Sequence, residues 1–142
     1  MNVKIKKLHP NAVIPSYSKP GDAGLDLTCV NKDFEYERGL LTLYFGIAIE
    51  IPEGHVGLLF PRSSIYKKDA ILSNGVGVID SGYRGEVMAK FRANSIEEFS
   101  VGERCVQLMI IPYPKVEFEE VNELSETERG TGGYGSTSLK SL

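Results

Sequence analysis

Short runs of alternating or β-branched apolar residues, each cut off by glycine, proline or asparagine, leave this chain little room for helices. The runs fall at residues 3–5, 25–30, 40–51, 55–60, 86–91, 105–111 and 115–121. A period of two sends successive side chains to opposite faces, which suits strands with one buried and one wet side. The breaks come at Pro20-Gly21, Pro52-Glu-Gly54, Asn74-Gly75, Gly82, Gly102 and Pro112-Tyr-Pro114, where turn chemistry ends a ladder. Only residues 63–69 predict a short helix. In the last run Val116 and Phe118 are expected to face inward while Lys115, Glu117 and Glu119 face water, with Val121 out of phase and beyond the strand's end. The pattern predicts an all-β fold, a sandwich or a jelly-roll-like β-barrel.

A chain of 142 residues fits one domain with a single core. Nineteen acidic and 16 basic residues are intermixed, for a net charge of -3, which argues against sequence-independent nucleic-acid binding. Any anion must therefore be held by a local cluster. Cys29 and Cys105 are far apart, with no CxxC and only two histidines in the chain; neither a zinc site nor a disulfide framework is supported, and both read as buried small residues. The amino-terminal lysines are followed by no apolar stretch, and no run approaches the length of a membrane span. The expectation is a soluble protein without a membrane partner, cytoplasmic or otherwise intracellular, in a host cell if phage- or virus-encoded. Hydrophobicity drops from Asn122 onward, which predicts a barrel domain over 1–124 and a flexible glycine-rich C-terminal lid over 125–142.

The segment Arg129-Gly-Thr-Gly-Gly-Tyr-Gly-Ser-Thr137 cannot be a core element. Four glycines in six positions make a pliable strip whose amides can wrap an anion, led by one fixed cation and carrying one ring. It is not a P-loop: Gly135 is followed by Ser136 rather than lysine, and no helix follows to hold a phosphate. In Gly77-Val-Ile-Asp-Ser-Gly-Tyr-Arg-Gly85, Asp80, Tyr83 and Arg84 lie between the strand candidates 70–72 and 86–91, where a hairpin is expected. An acid, a ring and a cation on one exposed loop form either an ordinary turn or a wall for a base and sugar. Arg62, Ser63 and Ser64 stand at the start of the possible helix, as a cap or as an anion site. Asp22 and Asp26 flank a tight turn, and Arg104 and Gln107 read as a surface charge and an edge residue if taken alone.

Together and in this order, Ala23-Gly-Leu-Asp-Leu27, Pro61-Arg-Ser-Ser64, residues 74–85, Gly102-Glu-Arg-Cys-Val-Gln107 and the 129–137 tail resemble the trimeric dUTPases. The resemblance implies hydrolysis of dUTP to dUMP and pyrophosphate with Mg2+, in a homotrimer with shared active sites and no direct contact with nucleic acid. It makes Asp80 the catalytic carboxylate that activates water. Asn74 and the backbone of Val78 and Ile79 would line the uracil slot, Gly77 and Met88 would also bind substrate, and Tyr83 would pack on deoxyribose. Arg62, Ser63, Ser64 and Gln107 would hold the α- and β-phosphates. Arg129, Gly133, Gly135 and Ser136 would close on the γ-phosphate end with Tyr134 stacked over uracil, and Asp26 would meet the metal through water. Tyr134 departs from the commoner phenylalanine, and Ser138 stands where glycine is frequent. The rivals are a regulatory nucleotide-binding module acting through a protein partner, and the dCTP deaminase branch, whose active-site segment no block here resembles.

Overall fold

A computed structural model describes residues 1–135; Ser136, Ser138 and the rest of the chain's end lie outside the described residues. The strands are β1 (Lys4–Lys7), β2 (Ser16–Tyr17), β3 (Leu25–Thr28), β4 (Asn31–Glu35), β5 (Leu40–Tyr44), β6 (Ile47–Glu50), β7 (His55–Pro61), β8 (Ala70–Leu72), β9 (Gly77–Ile79), β10 (Met88–Ala93) and β11 (Arg104–Pro112). No α-helix occurs among the described residues, so none there is long and apolar enough to cross a membrane. The helix expected over 63–69 is a short 3-10 helix, Ser63–Lys67.

The strands form a jelly-roll-like body of three sheets, ordered β1-β6, β4-β5-β10-β8 and β2-β3-β11-β7-β9. Strand β10 shows the logic at its simplest: Ala89, Phe91 and Ala93 face the core, while Met88, Lys90 and Arg92 face out. Phe45, Phe91, Leu27, Leu41, Leu43, Ile47 and Leu108 are almost wholly excluded from solvent and merge into one cluster fed by all three sheets. Burying each such side chain stabilises the fold by roughly 1.5–3 kcal/mol. Thr42, the only buried polar residue among those described, accepts a 3.0 Å hydrogen bond from Lys90 Nζ. Cys29 and Cys105 are buried and free, as expected. Interaction with Cys29, together with burial, pushes the Cys105 thiol up, while interaction with Cys105 draws Cys29 down against the opposing effect of its burial.

Several expectations need correction. The run 40–51 is two strands, split at Phe45-Gly46, where Gly46 has a φ of +66° and an added Cβ would lie 2.8 Å from His9 Cβ. Strands β8 and β10 do pair, Leu72 opposite Phe91, yet the loop between them carries β9, which crosses to the other sheet and pairs with β7. Residues 115–121 are not a strand: Val116 and Phe118 are 64% and 97% exposed. Pro114 lacks the N–H that would carry the ladder beyond β11, and nothing among the described residues covers the apolar side. Gln107 is no edge residue, because β11 lies between β3 and β7.

Lys68, at the end of the 3-10 helix, donates to Glu103 at 2.7 Å and ties that helix to the turn before β11. Burial pushes the Glu103 carboxyl up, but the hydrogen bonds from Lys68 and from Ser100 N outweigh it and hold the group below its ordinary value of 4.5. A depressed carboxyl stabilises the fold above that ordinary value and stops doing so as pH falls through the folded one. Glu103→Gln should cost about 1 kcal/mol at neutral pH; in urea unfolding, the gap from wild type should close as pH drops below 4.5.

Candidate active site

Two hollows gather most of the predicted residues of the body, while Ser64 lines neither. The first, about 210 Å³, is lined by Leu59, Asn74, Gly77, Val78, Ile79, Asp80, Tyr83, Glu86, Val87 and Met88. One wall is β9, an edge strand paired only with β7, so alternate N–H and C=O groups face outward unpaired by the sheet. Gly77 allows β9 to lie this close, since a Cβ there would come within 2.9 Å of Leu59 Cβ. Asp80 is exposed at the mouth, and among the described residues no side chain occupies its carboxylate. Tyr83 is fixed at both ends: its amide donates to Asp80 O at 3.1 Å and its hydroxyl to Glu86 O at 2.9 Å. The ring lies across Gly85, whose Cβ would fall 2.6 Å from Tyr83 Cζ. Glu86 Oε2 accepts from Gly46 N at 3.0 Å, and Arg84 reaches Glu50 at 3.5 Å, so the loop is pinned to the β5–β6 corner.

The second hollow, about 780 Å³, lies over β3, β11 and the end of β7, with Gly24, Asp26, Arg62, Ser63 and Gln107 in its lining. Asp26 is opposite Gln107 in the β3–β11 register. Its carboxylate, 10% exposed, takes Arg62 Nε at 3.1 Å and Arg104 at 3.7 Å. Arg62 is thereby held in place, and two cations face one acid, an excess suited to an anion. Gln107 donates to Pro61 O at 3.0 Å. Arg62 occupies the cap position of the 3-10 helix without a side-chain cap bond, so the capping alternative fails for its side chain.

The tail stands apart from both hollows. Arg129 Nε donates to Gly132 O at 2.9 Å, Gly133 is half-buried, and Gly135 follows Tyr134, whose φ is +52° and whose ring is fully exposed.

These hollows join the geometry to known proteins. A dUTPase family profile matches residues 10–138. The chain belongs to the dUTPase family. It is 42% identical to the deoxyuridine 5'-triphosphate nucleotidohydrolase of Hydrogenobaculum sp. (strain Y04AAS1), covering 99% of this chain and 100% of that one. The protein of the same name from Clostridium acetobutylicum is 41% identical, with 99% of each chain covered. Among solved structures, a mutant dUTPase of Staphylococcus bacteriophage 80alpha with dUpNHpp superposes with a TM-score of 0.83 at 27% identity, over 96% of this chain and 98% of that one.

Arg104, paired with Asp26, and Glu86, in the first hollow of this dUTPase chain, were not among the expected site residues. Arg104 and Gln107 are three apart and would face opposite sides of a regular strand. A register shift between Arg104 and Val106 inserts Cys105, so Arg104 pairs with Thr28 and returns to the Asp26 face. Glu86 had a simpler signal, its place directly after Gly85. The family's magnesium fits an ion carried on phosphates: among the described residues no three His, Cys, Asp or Glu side chains come together, and Asp26 Oδ2, 3.7 Å from Arg104, has room to accept from a bound water. Arg62→Ala should weaken binding of inorganic triphosphate at least about tenfold by calorimetry. It should also destabilise the fold by about 1–3 kcal/mol, because the largely buried Asp26 loses its nearer partner.

Proposed function

We propose that this chain hydrolyses dUTP to dUMP and pyrophosphate, with Asp80 as the general base. The supporting observation is that an unoccupied carboxylate stands at the mouth of a hollow walled by a free strand edge and a clamped tyrosine. Uracil presents N3–H between two carbonyls, and the outward groups of β9 around Val78 and Ile79, with Asn74, supply an acceptor and donors in that order. Cytosine reverses the pattern at N3 and position 4, leaving buried groups unpaired at about 1–3 kcal/mol each. Tyr83, held from both ends, leaves no slack for a ribose 2'-hydroxyl. Asp80 would orient a water on the α-phosphate and take its proton, a contribution of about 10²–10⁴-fold. Arg62, Ser63, Ser64 and Gln107 would bind the phosphates and stabilise charge as the bond to the leaving pyrophosphate breaks. Magnesium bound to the triphosphate, with Asp26 reached through water, would neutralise part of that charge. In the cell this activity keeps uracil out of DNA and supplies dUMP for thymidylate synthesis.

The working unit is a homotrimer with shared sites. The two hollows have no lining residue in common, and Phe118 and Leu124, 97% and 86% exposed, present an apolar load that assembly would bury. Nucleoside hollow and phosphate cluster would then meet across a boundary between copies, with 125–142 closing as a lid. Arg129 would reach the triphosphate and Tyr134 would stack on the base. Location is intracellular, where deoxynucleotides are made.

The deciding assay offers dUTP, dCTP, dTTP and UTP with magnesium and measures pyrophosphate and ammonia. Pyrophosphate from dUTP alone is expected; ammonia from dCTP would contradict the reading. Asp80→Asn should lose turnover by at least about a hundredfold while still binding dUTP. Every core residue precedes Glu128, so a chain cut after Glu128 should stay folded and lose most hydrolysis.

A further inference from the structure

Gly24 lies just before β3 in a hollow of the sheet surface, and its φ is not positive, so no backbone conformation there demands glycine. Space does. In the antiparallel register Asp26 is opposite Gln107 and Leu25 opposite Leu108, which puts Gly24 one step along, on the same face and diagonal to Gln107. A Cβ on Gly24 would overlap Gln107 Oε1 and lie 3.1 Å from both Cβ and Cδ of that side chain. The carboxamide of Gln107 thus spans from β7 to β3, its Nε2 donating to Pro61 O at 3.0 Å and its oxygen lying over the bare Cα of Gly24.

This arrangement fixes which way the carboxamide faces. A primary amide has two N–H donors; Pro61 O takes one and leaves the other for the hollow. Turning the amide over would set two carbonyl oxygens against each other at Pro61 and would move the N–H groups away to the Gly24 side. We propose that Gly24 is a positioning residue for Gln107: the room left by its missing side chain holds the carboxamide donor-outward, toward the phosphates of the nucleotide. The inference rests on the reading of Gln107 as a phosphate ligand. It assigns a purpose to a glycine that turn chemistry alone leaves unexplained, since Gly21, three residues earlier, carries the positive φ of the turn, at +90°.

The test is a double-mutant cycle in the full-length protein, with kcat/KM for dUTP and the dissociation constant for inorganic triphosphate as readouts. Gly24→Ala should lower kcat/KM about tenfold and weaken triphosphate binding to match, because the displaced amide no longer donates. In a Gln107→Ala background the same substitution should change either quantity by less than about twofold. The inference is overturned if Gly24→Ala is as active as wild type, or if its effect is equally large in both backgrounds, which would mean that the glycine serves the fold or touches the ligand itself. Should Gly24→Ala alone not fold, the double variant decides: the carboxamide is gone and only a 3.1 Å contact remains, so folding with the activity of Gln107→Ala supports the inference and failure to fold overturns it. A wild-type protein inactive on dUTP would refute the proposed function, while triphosphate binding by the four proteins would still judge Gly24.

Discussion

The placement of β11 between β3 and β7 is the constraint on which the rest depends. Its ladder with β7 runs unbroken from Val106 opposite Pro61 to Pro112 opposite His55, and its ladder with β3 sets Gln107 against Asp26. Strand pairing fixes side-chain facing absolutely, because a slip of one residue would send Val106 and Leu108 to the outer face and Gln107 into the core. The buried set therefore enforces the register, and the register enforces the polar cluster. One local irregularity completes it. The extra residue at Cys105 is absorbed by the core at 2% exposure, and in exchange Arg104 joins Asp26 on the outer face.

The two hollows are built by opposite means. The polar cluster sets Asp26, Arg104 and Gln107 on interior strands, with Arg62 at the cap of the 3-10 helix held on Asp26, as suits recognition by charge at fixed geometry. The hollow proposed for the nucleoside uses the free edge of β9, where outward backbone groups would do the reading and Tyr83 and Glu86 clamp the loop. Glycines at 24, 77 and 85 act as spaces in both: they admit a glutamine carboxamide, a neighbouring strand and a tyrosine ring. Exposed edges and exposed apolar segments are ordinarily hazards. In the proposed trimer the exposed apolar segment around Phe118 would lie where copies meet.

Much of the body was legible from residue order. Alternation in 86–91 and 105–111 marks strands because each has one face in the core, and Asn74-Gly75 marks a turn because Gly75 adopts a φ of +72°. What escaped was whatever depends on a partner far along the chain. Phe118 alternates like a core residue, yet its burial needs a surface that the described residues do not supply. Strand β9 is too short to signal which sheet it joins. Arg104 reads as a surface charge until the bulge beside it is known, since period-two counting assumes an unbroken ladder. The functional blocks were legible as a set through resemblance, while their division between two hollows was visible only in three dimensions.

That division is the central claim, and subunit mixing tests it most directly. In the proposed trimer Asp80→Asn would damage only the hollow for the nucleoside and Arg62→Ala only the cluster for the phosphates, so each variant should be nearly inactive alone. Unfolded together in equal amounts and refolded, they should yield about a quarter of the wild-type rate of pyrophosphate release from dUTP, because one site in four would draw its intact halves from different chains. A mixture no more active than the sum of its parts would contradict the account.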